Sequence, residues 1–141
     1  MAKTFALALL ATVQTALAQE SDPMGGSACV VAKQLGDSLA IEWAVGRPTV
    51  SKAIADAKRA LAARGFEHVF PQGNSPITHG WLVVVKTKYQ TYTGRTRTSY
   101  GCGFSPQSAI GAEELAINDL RTYSWGWKPS HGYNQVQVER F

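Results

Sequence analysis

Residues 79–104 read HGWLVVVKTKYQTYTGRTRTSYGCGF, and this stretch decides the fold. It is rich in β-branched and aromatic residues on both sides of Thr93-Gly94, a pair of the kind that closes tight hairpin turns. With Thr93-Gly94 as a two-residue turn, Tyr92 lies opposite Arg95. We therefore expect an antiparallel hairpin over residues 79–104.

In that register the hairpin has an apolar face and a basic face, as a half-buried antiparallel pair should. The apolar face consists of Val83, Val85, Thr87, Tyr89, Tyr100, Cys102 and Phe104. The basic face consists of Lys86, Lys88, Gln90, Tyr92, Arg95 and Arg97. Such a cationic face, with an aromatic residue in it, can bind an anionic polymer or an acidic protein. The alternative is that its charges only keep the outer face of the sheet solvated.

The positive charge of the chain is concentrated in this same segment. The full sequence carries 14 basic and 10 acidic residues, a formal charge of +4. No acidic residue occurs between Glu67 and Glu113. The charge pattern therefore points to the hairpin, rather than to the whole surface, as the candidate contact region.

Two helices are predicted around the hairpin. The first runs from Val50 to Arg64, with Thr49 as N-cap and Gly65 just after its C-terminus. The second runs from Pro106 to Tyr123, with Ser105 as N-cap. Both have apolar residues at helical spacing, so each is expected to pack one face against a sheet.

The predicted elements follow the order strand, strand, helix, strand twice. The remaining strands are expected at residues 28–33, 38–45, 66–70 and 133–140. An offset of 56 aligns Thr49 with Ser105, which makes an internal duplication one reading of the pattern. The predicted fold class is α+β, an antiparallel sheet with two helices packed on one face and a possible duplicated β-β-α-β unit.

The repeated unit carries a family resemblance. A helix that begins after Cys102-Gly103-Phe104-Ser105 and has an Ala-rich face (Ala109, Ala112, Ala116) resembles secreted bacterial domains of unknown function built from repeated β-β-α units. The resemblance covers most of the chain beyond its N-terminal segment. It implies an exported, disulfide-containing domain and supplies no catalytic residues.

The N-terminus predicts export. Residues 1–18 have Lys3, an apolar run over 5–13, and Ala16 and Ala18 at signal-peptidase spacing, so we assign them to a secretory signal peptide. Residues 19–26 are expected to form a flexible leader, and 27–141 a single α+β domain. The predicted location is secreted or periplasmic. A protein or an anionic envelope polymer is the expected partner, nucleic acid is not, and no transmembrane segment is expected in the mature chain.

Two cysteines, Cys29 and Cys102, are expected to form one disulfide in an exported protein. A different reading takes Cys102 as a nucleophile. The order of Cys102, a helix and then His131 is similar to that of NlpC/P60-like peptidoglycan hydrolases, which implies a cell-wall hydrolase using these two residues.

Trp125 and Trp127 suggest a third function. Two residues apart on an extended chain, they would share a face able to stack on sugar rings, although both indoles could instead cover the end of the core. The three histidines have no metal-ligand spacing, so neither a metal nor another cofactor is expected. The main prediction is a small exported binding protein without catalytic chemistry, acting as an inhibitor, an adaptor or an envelope-associated factor.

Overall fold

The structure, a computed structural model, describes residues 25–141. The elements are β1 (Gly26–Gln34), β2 (Asp37–Arg47), α1 (Val50–Ala63), β3 (Val69–Ser75), β4 (Trp81–Gln90), β5 (Thr96–Ser105), α2 (Ala109–Tyr123) and β6 (Asn134–Arg140), with a 3-10 turn at Pro129–His131 before β6. The predicted signal peptide and most of the predicted leader lie outside the described residues. Gly26, which we had assigned to the leader, is the first residue of β1. Neither helix within residues 25–141 has the length and apolar character needed to span a membrane.

The strands form two three-stranded antiparallel sheets, ordered β2-β1-β3 and β5-β4-β6. Each sheet is built from one strand-strand-helix-strand segment, with the first strand of the segment in the centre. The α+β class is therefore confirmed, and the layout is consistent with a duplicated unit. The arrangement differs from the expected one because each helix covers its own sheet, instead of both helices covering one face of a single sheet.

The two sheets pack face to face, with α1 and α2 on the outside. The burial of the two central strands explains this arrangement. Residues 28–32 of β1 and 82–85 of β4 are buried on both faces, so each sheet needs a covering layer on either side. The middle core layer, between the sheets, contains Cys29, Val31, Ile41, Leu82, Val84, Tyr100, Cys102 and Phe104. Separate apolar layers lie under α1 and under α2.

The two helices bury the same residue pattern. In α1 the buried residues are Ala53, Ala57 and Leu61, and in α2 they are Ala112, Ala116 and Leu120. The two sets are related by an offset of 59. The offset of 56 taken from the sequence was wrong, because it rested on the wrong start for the second helix.

The predicted start of α1 is confirmed, whereas the predicted start of α2 is wrong. Thr49 caps α1 as expected, accepting a hydrogen bond from the Lys52 N–H. The N-cap of α2 is Ser108, whose Oγ accepts from the Gly111 N–H at 2.9 Å. The expected cap, Ser105, instead orders the preceding turn, where its Oγ accepts from the N–H of Ser108.

The register of the hairpin also differs from the predicted one by a single residue. Val84, and not Val85, lies opposite Cys102. The turn is a three-residue loop closed by a hydrogen bond from the Thr91 N–H to the Arg95 carbonyl, with Gly94 at φ 79°. Because a slip of one residue moves side chains to the opposite face, the predicted apolar face is divided between two core layers.

The predicted disulfide between Cys29 and Cys102 is confirmed, with a Cα–Cα distance of 6.5 Å. Cys29 lies on β1 and Cys102 on β5, so the bond joins the two sheets through the middle core layer. It therefore connects the two repeated segments covalently.

Candidate binding site

The predicted basic face is not a single surface. Lys86, Lys88 and Gln90 are exposed at alternate positions of β4, between the buried Thr87 and Tyr89. At the start of β5, the Arg97 guanidinium turns to the β1–β2 turn, where its Nη1 lies 3.4 Å from the Gly36 carbonyl oxygen. Tyr92 and Arg95 lie in the loop at the end of the hairpin. The six residues therefore divide among three places.

Trp125 and Trp127 also separate. Trp127 is buried in the layer under α2, and its Nε1 donates to the Gly132 carbonyl at 3.3 Å. Trp125 is 65% exposed. The prediction of a shared tryptophan face is wrong, because Gly126 turns the chain at φ 80° and sends the two indoles to different sides. Trp127 is unable to stack on a ligand from its buried position.

The structure brings Trp125 against Tyr92, one residue from each of the two predicted contact regions. Their ring centroids are 5.8 Å apart and the planes meet at 71°, an edge-to-face pair. Tyr92 is 75% exposed, so both rings present most of their area to solvent. The structure therefore presents an exposed aromatic pair that neither contact region predicted by itself.

Three hydrogen bonds hold Trp125 in place after α2. The Tyr89 hydroxyl donates to the Trp125 carbonyl at 2.8 Å, and burial raises the pKa of that hydroxyl, which keeps it a neutral donor. The Ser124 hydroxyl bonds to that of Ser99 at 2.6 Å, and the Trp127 N–H bonds to the Ser124 carbonyl at 3.0 Å. The backbone is fixed on both sides of Trp125, so the indole projects from a rigid support.

Lys128 supplies a cation beside the pair. Its Nζ lies 5.9 Å from the centroid of the Tyr92 ring, within range of a cation–π interaction. The Lys128 N–H donates to Nδ1 of His131 at 2.8 Å, and the His131 ring lies 5.5 Å from that of Tyr89. The 3-10 turn therefore positions a charged side chain next to the exposed aromatics.

These residues surround a shallow groove of about 280 Å³. It is lined by Gln90, Thr91, Tyr92, Gly126, Lys128, Ser130 and His131. Together with the adjacent Trp125 we call it the aromatic groove. Its wall combines an exposed aromatic surface, hydroxyl and amide groups, and one ammonium. This is a set of groups suited to recognition.

Sequence reasoning missed part of this groove. Lys128 and Ser130 were not singled out, and His131 was considered only as a catalytic residue or a metal ligand. The available signal was their position: Lys128-Pro-Ser-His131 directly follows the two tryptophans, in a segment with Gly126 and Gly132 at its ends. The pairing of this segment with Tyr92, more than thirty residues earlier, had no signal in the sequence.

The structure does not support the reading of Cys102 as a nucleophile. The sulfur of Cys102 is bonded to Cys29 inside the middle core layer, so it offers no thiolate. His131 is exposed at the aromatic groove and accepts a backbone hydrogen bond there. Among residues 25–141, no group of three or more His, Cys, Asp or Glu side chains is placed to hold a metal ion.

A second polar cluster is structural and largely buried. The Asp119 carboxylate accepts the Cys102 N–H and the Gln72 Nε2–H, each at 2.8 Å, and Gln72 Nε2 also donates to the Tyr100 carbonyl. Burial raises the pKa of Asp119 to about 6, against the two hydrogen bonds and the charge of Lys33, which lower it. The cluster satisfies polar groups on the outer edge of β5, where no further strand pairs.

No family model, curated protein or solved structure matches this chain. The functional argument therefore rests on the residues of the aromatic groove and on their geometry.

Proposed function

We propose that this is a small exported binding protein without catalytic chemistry of its own, and that the aromatic groove binds an anionic, sugar-containing polymer of the cell envelope. The observation that carries the proposal is the exposed Tyr92–Trp125 pair with Lys128 beside it. Export, with a secreted or periplasmic location, is part of the proposal. It is supported by the N-terminal sequence and by the disulfide.

The aromatic pair favours a ligand with flat apolar faces and polar edges. Exposed Tyr and Trp rings bind such ligands well, because they offer a large rigid surface at a small cost in conformational entropy. Sugar rings have apolar C–H faces surrounded by hydroxyl groups. Gln90, Thr91 and Ser130 line the groove and can exchange hydrogen bonds with those hydroxyls.

The charge around the groove favours an anionic ligand over a neutral one. Lys128 lies at the Tyr92 ring, Arg95 follows in the same loop, and Lys88 is exposed on β4. No acidic side chain lines the groove. A carboxylate or phosphate on the polymer would pair with these cations, and the attraction would weaken as salt is added.

The test measures binding of the purified protein to a polyuronate (polygalacturonate) and to a neutral polysaccharide (dextran) by isothermal titration calorimetry at low and high salt. We expect binding to polygalacturonate that weakens with salt, and much weaker binding to dextran. Trp125→Ala should reduce the affinity by about tenfold or more, because it removes half of the stacking surface. Lys128→Gln should reduce both the affinity and its salt dependence.

Ile110→Ala is the matched control. Ile110 is an apolar residue on α2 that is 73% exposed and does not line the groove, so its truncation should leave binding unchanged. Equal losses for Trp125→Ala and Ile110→Ala would reject the groove as the site. If no acidic polysaccharide binds but an acidic protein does, and that binding depends on Trp125, then the groove is the binding site and the polymer is rejected as its ligand.

A further inference from the structure

The β1–β2 turn exposes a leucine in a backbone conformation that leucine rarely adopts. Leu35 has φ 52° and Gly36 has φ 80°, with Gln34 paired to Asp37, the arrangement of a two-residue turn with both central residues left-handed. Asn, Asp and Gly are preferred at such positions. The Leu35 side chain is 89% exposed, the highest value among the large apolar residues of the described chain.

No contact within residues 25–141 explains why leucine is present there. The left-handed conformation of a non-glycine residue destabilises the fold, and an exposed leucine recovers nothing by burial. A strained, exposed apolar side chain at a hairpin tip is better explained by a contact made outside the chain.

The surroundings of Leu35 are apolar and cationic. A cleft of about 430 Å³ on one side includes Leu39, Arg95 and Arg97, and another of about 570 Å³ includes Lys33 and Phe70. Leu39 is 46% and Phe70 51% exposed. The acidic residue among the lining side chains, Asp37, is already engaged as the acceptor of the Thr98 N–H.

We propose that this tip docks on an anionic lipid bilayer, with Leu35 inserted into the interface and Arg95 and Arg97 against the headgroups. The charge decides the occupant: Arg95 and Arg97, beside one engaged carboxylate, match a continuous negative surface, which attracts basic residues close to it. The docking is peripheral and reversible. It shares Arg95 with the charge around the aromatic groove, uses no residue that lines the groove, and does not depend on the polymer proposed above.

The test is co-sedimentation with vesicles of phosphatidylcholine alone or mixed with phosphatidylglycerol, at low and high salt. We expect binding only to the anionic vesicles, and a loss of about tenfold in apparent affinity for Leu35→Asn. The same change should raise Tm by a few degrees, because asparagine tolerates the left-handed conformation better than leucine. Opposite effects on binding and on stability separate a docking role from a structural one.

Leu115→Asn is the matched control, since Leu115 is 48% exposed on α2, away from the tip. It should leave vesicle binding unchanged. The proposal is overturned if the protein ignores anionic vesicles, if Leu35→Asn binds them as well as the unmodified protein does, or if Leu35→Asn lowers Tm.

Discussion

At the residue scale, Asp119 is the group whose environment most changes its chemistry. Its carboxylate is held between α2 and the edge of β5 by two hydrogen bonds of 2.8 Å, yet burial dominates and raises its pKa from 3.8 to about 6. The folded protein therefore binds this proton more tightly than the unfolded chain does. The stabilisation that follows is fully present below pH about 4 and is lost as the pH rises through about 6.

Asp119→Asn should remove this pH dependence. The amide oxygen can still accept from Cys102 and Gln72, but the side chain no longer ionises. Relative to the unmodified protein, we expect the free energy of unfolding of the variant to rise by about 2 kcal/mol between pH 4 and pH 7. Urea unfolding at several pH values measures the difference, and two parallel stability curves would contradict the account.

The two tryptophans show where prediction from the sequence stops at this scale. The sequence identified the segment of Trp125 and Trp127 but not which indole is buried. That choice depends on where α2 ends and on the left-handed Gly126, which together direct Trp127 under the helix. Neither property has a signal in the residue types alone.

At the scale of elements, the packing of α2 on β5 depends on two glycines. A Cβ on Gly103 would lie 2.0 Å from the Ala112 carbonyl oxygen, and one on Gly101 would lie 2.1 Å from that of Ala116. These distances leave no room for a methyl group, so the helix would have to move away from the sheet.

Gly103→Ala should therefore destabilise the protein by about 3 kcal/mol. Gly73→Ala is the matched control, because Gly73 is also a strand glycine but a Cβ there would meet its nearest atom, the Cys102 sulfur, at an ordinary 3.5 Å. Thermal unfolding of both variants compares them. Similar losses would mean that strand propensity, and not the helix contact, sets the cost.

The hairpin shows how one residue limits an otherwise correct prediction. The two strands, their pairing and the position of the turn were all legible from residues 79–104. The loop contains three residues instead of two, however, and the pair Thr93-Gly94 is compatible with either loop length. Alternation could not correct the error, because residues 82–85 of β4 are apolar and buried on both faces.

At the scale of the whole molecule, the disulfide is a covalent link between the two strand-strand-helix-strand segments. Cys29 and Cys102 are 73 residues apart, so the bond closes a long loop and restricts the unfolded chain strongly. Cys29→Ala with Cys102→Ala should lower the free energy of unfolding by about 4 kcal/mol, measured by guanidinium denaturation. A midpoint equal to that of the oxidised protein would show that the bond adds little to the packing of the sheets.

The repeated unit and the α+β class could be read from the order of the elements, whereas the two-sheet arrangement could not. Each half supplies a central strand that is buried on both faces, but only the three-dimensional packing shows that each sheet covers the other. The resemblance to secreted bacterial domains of repeated β-β-α units stays a prediction.

The two hairpin turns lie at the same end of the molecule, which unites the two proposals. Arg97 contacts Gly36 and Thr98 contacts Asp37, so the β1–β2 turn lies beside the beginning of β5. The corresponding turns of the two halves expose Leu35 and Tyr92. The two exposed side chains on which the two proposals rest therefore lie at one end of the molecule.

Acrylamide quenching of tryptophan fluorescence, with and without saturating acidic polymer, tests the central claim most directly. Trp125 is the exposed member of the four tryptophans, since Trp127 is buried and Trp43 and Trp81 are partly buried. If the polymer covers the aromatic groove, its binding protects Trp125, and quenching of the unmodified protein falls to the level seen for Trp125→Phe. Quenching of the Trp125→Phe variant itself should be the same with and without polymer. Saturated binding that leaves the quenching of the unmodified protein unaltered would contradict the account.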